Sequence, residues 1–272
     1  MILEEVSVPP FRPAKPFLNW AGNKRHIAKS LLNLGIPNFH NYHEPFLGSG
    51  AFFLALASTQ KIHRAFLSDQ NAHLISMFAA VKKDPEGVIR ALKLHKMLDS
   101  DVHFAGVIGD LNRKWEGEEV SSDHAAAVIY AMAHSFHSSW YELPNGKVSI
   151  SRRANPKPFN PHHDRVSEAA YLLDSAEFHC QDFRASLGHV SEGDLVFIDP
   201  PYLAEEDAAD RRAYTADRFS RQDLRDLLDL IEHTLSARAH VVFCWGYELI
   251  EDVFQIGNWR PLNNSHVWTS FG

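Results

Sequence analysis

The sequence has few cysteines and no apolar run long enough to cross a membrane. Its two cysteines, Cys180 and Cys244, each end an apolar stretch typical of a buried strand, which favours reduced core thiols over disulfides. A transmembrane helix needs about 18 apolar residues, and the first residues, MILEEVSVPP, carry acids where a secretory signal needs bases. We therefore expect a cytoplasmic protein without membrane contact.

Positive charge is also scarce, because the formal net charge is -7. This balance disfavours a nucleic-acid partner unless basic residues are concentrated locally, since phosphate contacts come from Lys and Arg. Arg152, Arg153 and Lys157 lie close together beside turn-forming prolines, and further arginines lie within residues 211–221. Such clusters indicate either a phosphate-binding patch or an ordinary solvated face.

Metal-binding motifs are missing although the chain has 17 histidines. His134 and His137 could share a helix face, and His162 and His163 are adjacent, but no HExxH or CxxC spacing accompanies them. We predict no metal site.

Alternating apolar runs and helical patterns predict an α/β fold. Apolar residues make up 45% of the chain, and its 272 residues are enough for one large core or for one core with an inserted subdomain. Helical periodicity follows the first apolar run at residues 51–58 and precedes the last at 221–235. This order indicates a doubly wound sheet with parallel strands at 41–46, 64–68, 195–198 and 240–244.

The middle of the chain lacks this alternation. It contains three helical patterns, at residues 73–83, 85–98 and 125–136, and a hairpin pattern around residues 144–146. We therefore predict two units. Residues 1–71 and 176–272 form the sheet domain, and residues 72–175 form an inserted, mainly helical subdomain, which we call the insert.

The sequence Asp199-Pro200-Pro201-Tyr202 directly follows the apolar run LVFI. Ligands of open α/β sheets bind at the carboxyl ends of the strands, so these residues are well placed for chemistry. Two prolines fix the backbone and leave its carbonyls as acceptors. The alternative is a strand-ending turn with an acidic cap.

This acceptor cluster suits an amine substrate such as adenine. If the carboxylate of Asp199 and the carbonyl of Pro200 each accept an N–H, the lone pair of the amino nitrogen can face an electrophilic methyl sulfonium. Tyr202 would stack on the base, which must leave a duplex to be reached.

A second motif, EPFLGSGA, begins at Glu44 and joins a strand to a helix. Gly48 and Gly50 let the backbone approach a ligand closely at a helix N-terminus, although a simple tight turn has the same composition. The third position of a dinucleotide motif is Phe53 rather than glycine, which disfavours an oxidoreductase.

Two further residues fit a nucleoside ligand. Asp69 ends the second apolar run about 20 residues after the glycines, where an acid can bind ribose hydroxyls; the alternative is an N-cap for the helix near Asn71. In FLNWAGNK, Trp20 offers a flat apolar face and Lys24 a cation, although a tryptophan before a helix is often a packing residue.

Together and in this order, the four motifs resemble those of the Dam-type family of DNA adenine methyltransferases, which read approximately WAGGK, EPFxGGGA, SDxN and DPPY. The resemblance implies a Rossmann-like methyltransferase sheet with an inserted target-recognition subdomain, S-adenosylmethionine as cofactor, and double-stranded DNA with a flipped adenine as substrate. It also implies a role in restriction–modification or a related system. The catalytic residues would be Asp199, Pro200 and Tyr202.

The resemblance also implies cofactor and DNA contacts. Cofactor-binding residues would be Trp20, Lys24, Glu44, Phe46, Gly48, Gly50, Asp69, Asp182, Phe183 and Asp199. DNA-binding residues would be Arg152, Arg153, Lys157 and Tyr214. Asn23 and Ser49 replace family glycines, and both are small enough or tolerant enough of left-handed backbone to be accepted.

Specificity does not carry over. Residues 135–150 read SFHSSWYELPNGKVSI and lack the arginine and the NVP sequence that the family often has there, so we predict no target sequence. Two other functions stay open: methylation of adenine in RNA or of another amine, and a nucleic-acid-binding module that keeps the fold without turnover.

Overall fold

The computed structural model describes residues 12–113, 120–143, 145–201, 219–245, 258–262 and 265–271. Its helices are α1 (Arg25–Leu32), α2 (Ala51–Ala57), α3 (Ala72–Lys83), α4 (Pro85–Leu98), α5 (Asp101–Leu111), α6 (Ser122–His134), α7 (His163–Leu172), α8 (Phe183–Leu187) and α9 (Arg221–Ser236). Its strands are β1 (Tyr42–Glu44), β2 (Ala65–Asp69), β3 (Ala176–Cys180), β4 (Leu195–Ile198), β5 (His240–Trp245), β6 (Asn258–Leu262) and β7 (Ser265–Thr269).

Within the described ranges, seven strands form one sheet in the order β3-β2-β1-β4-β5-β7-β6. Strands β1 to β5 pair in parallel, and β7 lies antiparallel between β5 and β6. The chain therefore runs outward from β1 in one direction and from β4 in the other. This is the doubly wound, Rossmann-like sheet predicted from the sequence.

Both faces of the sheet are covered by apolar packing. In β4, Leu195 and Phe197 belong to one core cluster, whereas Val196 and Ile198 belong to the other. Successive side chains of a strand point to opposite faces, so a strand buried on both faces must be apolar throughout. This explains why β4 and β5 are nearly continuous apolar runs. Strand β1 is also buried, but its His43 and Glu44 are paired with Asp194 and Tyr42.

Local capping fixes several helix starts. Asn71 accepts the N–H of Leu74 at 3.0 Å and begins α3. Asp84 accepts the N–H of Gly87 at 3.0 Å ahead of Pro85, the first residue of α4. Ser220 forms a reciprocal capping box with Asp223 at the start of α9.

The predicted hairpin is confirmed by its backbone bonds. Ser149 N–H donates to Tyr141 at 2.8 Å, and Lys147 accepts from Leu143 at 2.8 Å. The sequence did not predict α5, α7 or β6. Helix α5 contains Gly106 and Gly109, which lower helical propensity, and α7 buries only Val166 and Ala169, so neither has a clear apolar stripe.

The insert shares its core with the sheet. Helix α3 packs against β2 and β3, and α7 packs against α2 and α3. Buried residues of α3, α4 and α6 belong to the same apolar cluster as those of α2 and β1. The division into a sheet domain (residues 1–71 and 176–272) and the insert (residues 72–175) stays a prediction. Residues of both predicted units belong to one continuous apolar core.

Two global features of the described part of the chain bear on function. No helix there is long and apolar enough to cross a bilayer. No group of three or more His, Cys, Asp or Glu side chains in those ranges could hold a metal ion.

Candidate active site

The predicted motifs meet at one edge of the sheet. Strands β1 and β4 are neighbours, although the chain leaves them toward opposite sides. The glycine loop after β1 and Asp199 after β4 therefore lie at the same carboxyl edge. In open α/β sheets this reversal of strand order opens a crevice where ligands bind.

The glycine loop has left-handed backbone at both of its glycines. Gly48 has φ +48° and Gly50, the N-cap of α2, has φ +61°. A Cβ added to Gly48 would lie 3.3 Å from Cδ1 of Trp20. The loop thus needs glycine at this position for its conformation and for the close packing of Trp20.

Asp69 joins the glycine loop to the start of α3. Its Oδ2 accepts the N–H of Gly48 at 3.0 Å, and its Oδ1 accepts the N–H of Asn71 at 3.0 Å. Because Asn71 caps α3, the alternative reading of Asp69 as that N-cap is wrong. Burial raises the pKa of Asp69 to about 6, against the opposing effect of these backbone donors.

Lys24 and Asp199 form an ion pair within the crevice. Lys24 Nζ lies 2.6 Å from Asp199 Oδ1 and also donates to the carbonyl of Gly22 at 3.1 Å. Lys24 has 4% of its side chain exposed and Asp199 18%. Burial raises the pKa of Asp199, and the charge of Lys24 opposes that rise. The lysine thus favours a carboxylate anion that remains accessible from one side.

Glu44 lies beneath this pair. Its Oε2 accepts a hydrogen bond from the hydroxyl group of Tyr42 at 2.6 Å, and its side chain is buried. Burial raises the pKa of Glu44 well above its usual range, and the negative charges of Asp199 and Asp69 act in the same direction. Burial and neighbouring negative charge thus both disfavour the charged form of Glu44.

An aromatic cluster lies beside the glycine loop. Phe46 stacks on Phe183 with ring centroids 5.3 Å apart, and both rings contact Phe219 at 6.1 Å. Asp182 caps α8 through the N–H of Arg184 and accepts a hydrogen bond from Gln70. The structure therefore brings Asp182 and Phe183 beside the ends of β1 and β2, as the resemblance implies, and adds Phe219, which the sequence did not indicate.

The predicted DNA-binding residues differ in their surroundings. Arg152 is mostly buried and forms ion pairs with Asp99 at 2.9 Å and with Asp101. Arg153 and Lys157 are exposed. A structural role therefore accounts for the contacts of Arg152, whereas the other two side chains remain accessible to a phosphate.

Two predicted residues lie outside the described part of the chain. They are Tyr202, predicted to stack on the base, and Tyr214, predicted to contact DNA. Pro200 lies within the described residues and is buried.

The segment after α6 contains an unusual turn. The sequence suggested that His137 could share a helix face with His134, but α6 ends at His134 and His137 lies in this turn. In the 3₁₀ turn Phe136–Ser138, His137 and Ser138 both have φ 55°, and Phe136 is 55% exposed. Non-glycine residues rarely adopt this backbone outside functional or tightly held segments. Trp140, four residues after Phe136, is buried and stacks on Trp20. No composition or periodicity signal marks this contact.

Comparison with known proteins gives a consistent family. Residues 20–252 match the model of the family described as D12 class N6 adenine-specific DNA methyltransferase. A Type II methyltransferase, M1.LlaDCHI of Lactococcus lactis subsp. cremoris, is 27% identical over 79% of this chain and 75% of its own length. The DNA adenine methylase of Haemophilus influenzae is 26% identical over 82% of this chain and 76% of its own length.

A second Type II methyltransferase, M.MjaIII of Methanocaldococcus jannaschii, is 27% identical over 77% of this chain and 76% of its own length. Among solved structures, the rRNA methyltransferase aviRa from Streptomyces viridochromogenes covers 97% of this chain and 88% of its own, at 13% identity and a TM-score of 0.41. That structural likeness is too low to bear on substrate.

Proposed function

Because this chain belongs to the D12 class of N6 adenine-specific DNA methyltransferases, we propose that it methylates the amino group of adenine in the crevice between the glycine loop and Asp199. The observation that carries this location is the Lys24–Asp199 ion pair at the reversal of strand order. Methyl transfer from S-adenosylmethionine to adenine in DNA is the activity of the family. The roles of individual residues are our proposal.

The residues around the crevice fit S-adenosylmethionine by their chemistry. A side chain at Gly48 would crowd Trp20, so glycine keeps the loop open to a close ligand. Asp69, half-buried at the end of β2, can accept hydrogen bonds from ribose hydroxyls. Phe46 and Phe183 offer an apolar face to an adenine ring. The bound cofactor supplies an electrophilic methyl group on a sulfonium.

The carboxylate of Asp199 orients the target amine. Lys24 favours its anionic form, and an anion accepts an N–H more strongly than a neutral acid does. The carbonyl of Pro200 is proposed to accept the second N–H. Two acceptors on one nitrogen turn its lone pair away from the ring, toward the methyl group, and so stabilise the developing charge.

Access to Asp199 implies a base outside the duplex. Only 18% of its side chain is exposed, and a base stacked in a helix cannot bring its amino group into such a crevice. We therefore propose that adenine is flipped out, with Tyr202 stacking on it. The exposed, backbone-strained segment Phe136–Ser138 is the described part of the insert best suited to contact the distorted duplex.

Phosphate contacts are assigned to exposed cations. Arg153 and Lys157 are exposed on the insert, and we keep Tyr214 as a further proposed contact. Arg152 is proposed to act indirectly, by holding the segment that carries Arg153 through its ion pairs with Asp99 and Asp101. Two relatives named Type II methyltransferases support the restriction–modification role, and a DNA substrate supports a cytoplasmic location.

The direct test is incubation of the purified protein with methyl-labelled S-adenosylmethionine and either unmethylated plasmid DNA or total RNA. We expect label in N6-methyladenine of DNA, and sequencing of the methylated positions then gives the target site. Label only in RNA would establish the alternative substrate. Cofactor binding without label in either polymer would establish a binding module and contradict the proposal.

A further inference from the structure

Trp140 lies where the insert meets the cofactor side of the crevice. Its ring is 1% exposed and stacks on Trp20, with ring centroids 6.1 Å apart and an interplanar angle of 29°. Trp20 in turn packs against Gly48. A residue of the insert thus supports, through one ring, the backbone of the glycine loop.

Two further contacts fix the orientation of Trp140. Its Nε1 donates to Glu142 Oε1 at 3.0 Å. On another side it contacts His73, which lies 3.2 Å from His124 between ring nitrogens. Burial lowers the pKa of His73 to about 3 and that of His124 to about 4, so both rings are neutral at neutral pH. Trp140 therefore lies among neutral aromatic rings, with the carboxylate of Glu142 as its hydrogen-bond acceptor.

A backbone bond joins the same two regions. The N–H of Ala21, next to Trp20, donates to the carbonyl of Ser138 at 2.9 Å. Ser138 belongs to the turn with left-handed backbone that leaves Phe136 exposed. This turn is thus joined by one backbone hydrogen bond to Ala21, the neighbour of Trp20.

We propose that Trp140 and Glu142 are positioning residues through which the insert holds Trp20 and the glycine loop in their cofactor-binding arrangement. DNA bound to the insert then changes the affinity for S-adenosylmethionine, and cofactor changes the affinity for DNA by the same factor. This inference rests on the proposed function of the crevice.

The electrostatics of Asp69 agree with this arrangement. The negative charge of Glu142 helps to raise the pKa of Asp69 and the pKa of Cys180. It does so because the hairpin lies near the ends of β2 and β3, where these two residues are. The titratable groups that act on Asp69 or are acted on by it are Glu44 on β1, Glu142 on the hairpin and Cys180 on β3.

The first experiment measures the dissociation constant of S-adenosylmethionine by calorimetry, with and without a saturating unmethylated duplex that contains the mapped target site. For the wild-type protein we expect DNA to lower this constant at least about fivefold, at the lower end of the usual range of coupling between sites. Trp140→Leu should raise the constant at least about tenfold without DNA, a factor within reach of a lost aromatic stack, and should abolish the effect of DNA. Trp140→Phe, which keeps an aromatic ring, should retain most of the wild-type cofactor affinity and most of the effect of DNA.

Leu92→Ala is the matched control. Leu92 is buried in α4, which packs against α6 and α7 within the insert, and its truncation destabilises the core without removing the tryptophan stack. It should lower the melting temperature while leaving the cofactor constant and the DNA effect within about twofold. An equal loss of coupling in Leu92→Ala, an unchanged constant in Trp140→Leu, or no DNA effect in the wild type would overturn the inference. Labelled methyl in DNA tests the proposed function separately.

Glu142→Gln tests the pH dependence of cofactor affinity, which a loss of packing alone would not change. Removing its charge lowers the pKa of Asp69, so the acid-side decline of cofactor affinity, expected near pH 6 in the wild type, should shift to lower pH. A decline at the same pH in both proteins would refute a close approach of Glu142 to Asp69.

Discussion

The carboxyl edge of the sheet and the insert differ in how their polar residues are used. At the sheet edge, Asp199 forms one ion pair within the described residues, with Lys24 at 2.6 Å, and 18% of its side chain is exposed. In the insert, Asp99 has several partners. It accepts hydrogen bonds from Tyr130 at 2.8 Å and from Arg152 at 2.9 Å, and Nε2 of His134 lies 3.1 Å from its carboxylate. Asp99 and Asp199 are about equally exposed, at 16% and 18%, so the two carboxylates differ in the number of their partners rather than in access.

The largest contrast is expected from Asp199→Ala. Loss of the carboxylate that orients the amine should reduce kcat by at least about a hundredfold. Asp199→Asn, which keeps the shape and removes the charge, should also be severely impaired. Cofactor binding by calorimetry checks that the crevice persists. Turnover equal to the wild type would remove Asp199 from the proposed role.

Asp69→Ala should act on binding instead of turnover. Loss of an acceptor for ribose hydroxyls and for the N–H of Gly48 should weaken cofactor affinity by about 1 to 3 kcal/mol. The pH dependence of folding stability also depends on the carboxyl group of Asp69. Its pKa is raised in the folded state to about 6, so the folded protein binds more protons between about pH 4 and pH 6, and stability falls as pH rises through that window.

Asp69→Asn should flatten this part of the stability profile, measured by urea unfolding at several pH values. A wild-type profile that already lacks the slope would show that Asp69 is ionised as an ordinary surface acid.

Arg152→Ala sharpens the comparison within the insert. Its removal leaves the mostly buried Asp99 with one charged partner fewer, so we expect a loss of about 1 to 3 kcal/mol in the free energy of unfolding. Arg153→Ala should leave stability unchanged and weaken DNA binding, with the slope of log affinity against log salt reduced by about 1. The reverse pattern would make Arg152 the phosphate contact.

Substitutions of two glycines by alanine should have the smallest effects on folding stability, and the two effects should have opposite signs. Gly48→Ala places a Cβ 3.3 Å from Trp20 at φ +48°, and we expect it to destabilise the fold by about 1 kcal/mol and to weaken cofactor binding. Gly106→Ala, in helix α5 with open space around the added Cβ, should stabilise the fold by about 0.5 to 1 kcal/mol. Thermal unfolding separates the two.

The sequence was sufficient for the sheet edge for a physical reason. Strands β2 and β4 are mostly apolar, and the carboxylates Asp69 and Asp199 end or directly follow them. Order along the chain therefore places these two residues in space. Trp20 and Lys24 lie ahead of α1 instead, and they were predicted from their motif. Helix α4 was also predicted with its observed bounds, since Asp84 and Pro85 mark its start.

The contacts within the insert, and those between the insert and the sheet edge, could not be predicted from the sequence in the same way. The stack of Trp140 on Trp20 and the pairing of Arg152 with Asp99 join residues far apart in sequence and depend on how helices pack. Neither contact leaves a periodic or local trace. Arg152 consequently looked like part of a basic patch beside Arg153, although its side chain is mostly buried.

The most direct measurement of the central claim is a crystal structure of the protein with S-adenosylmethionine. We predict that the ribose hydroxyls hydrogen-bond to Asp69, that the methionine part follows the loop of Gly48 and Gly50, and that the methyl group faces the carboxylate of Asp199. A cofactor bound elsewhere, or one whose methyl group points away from Asp199, would contradict the account.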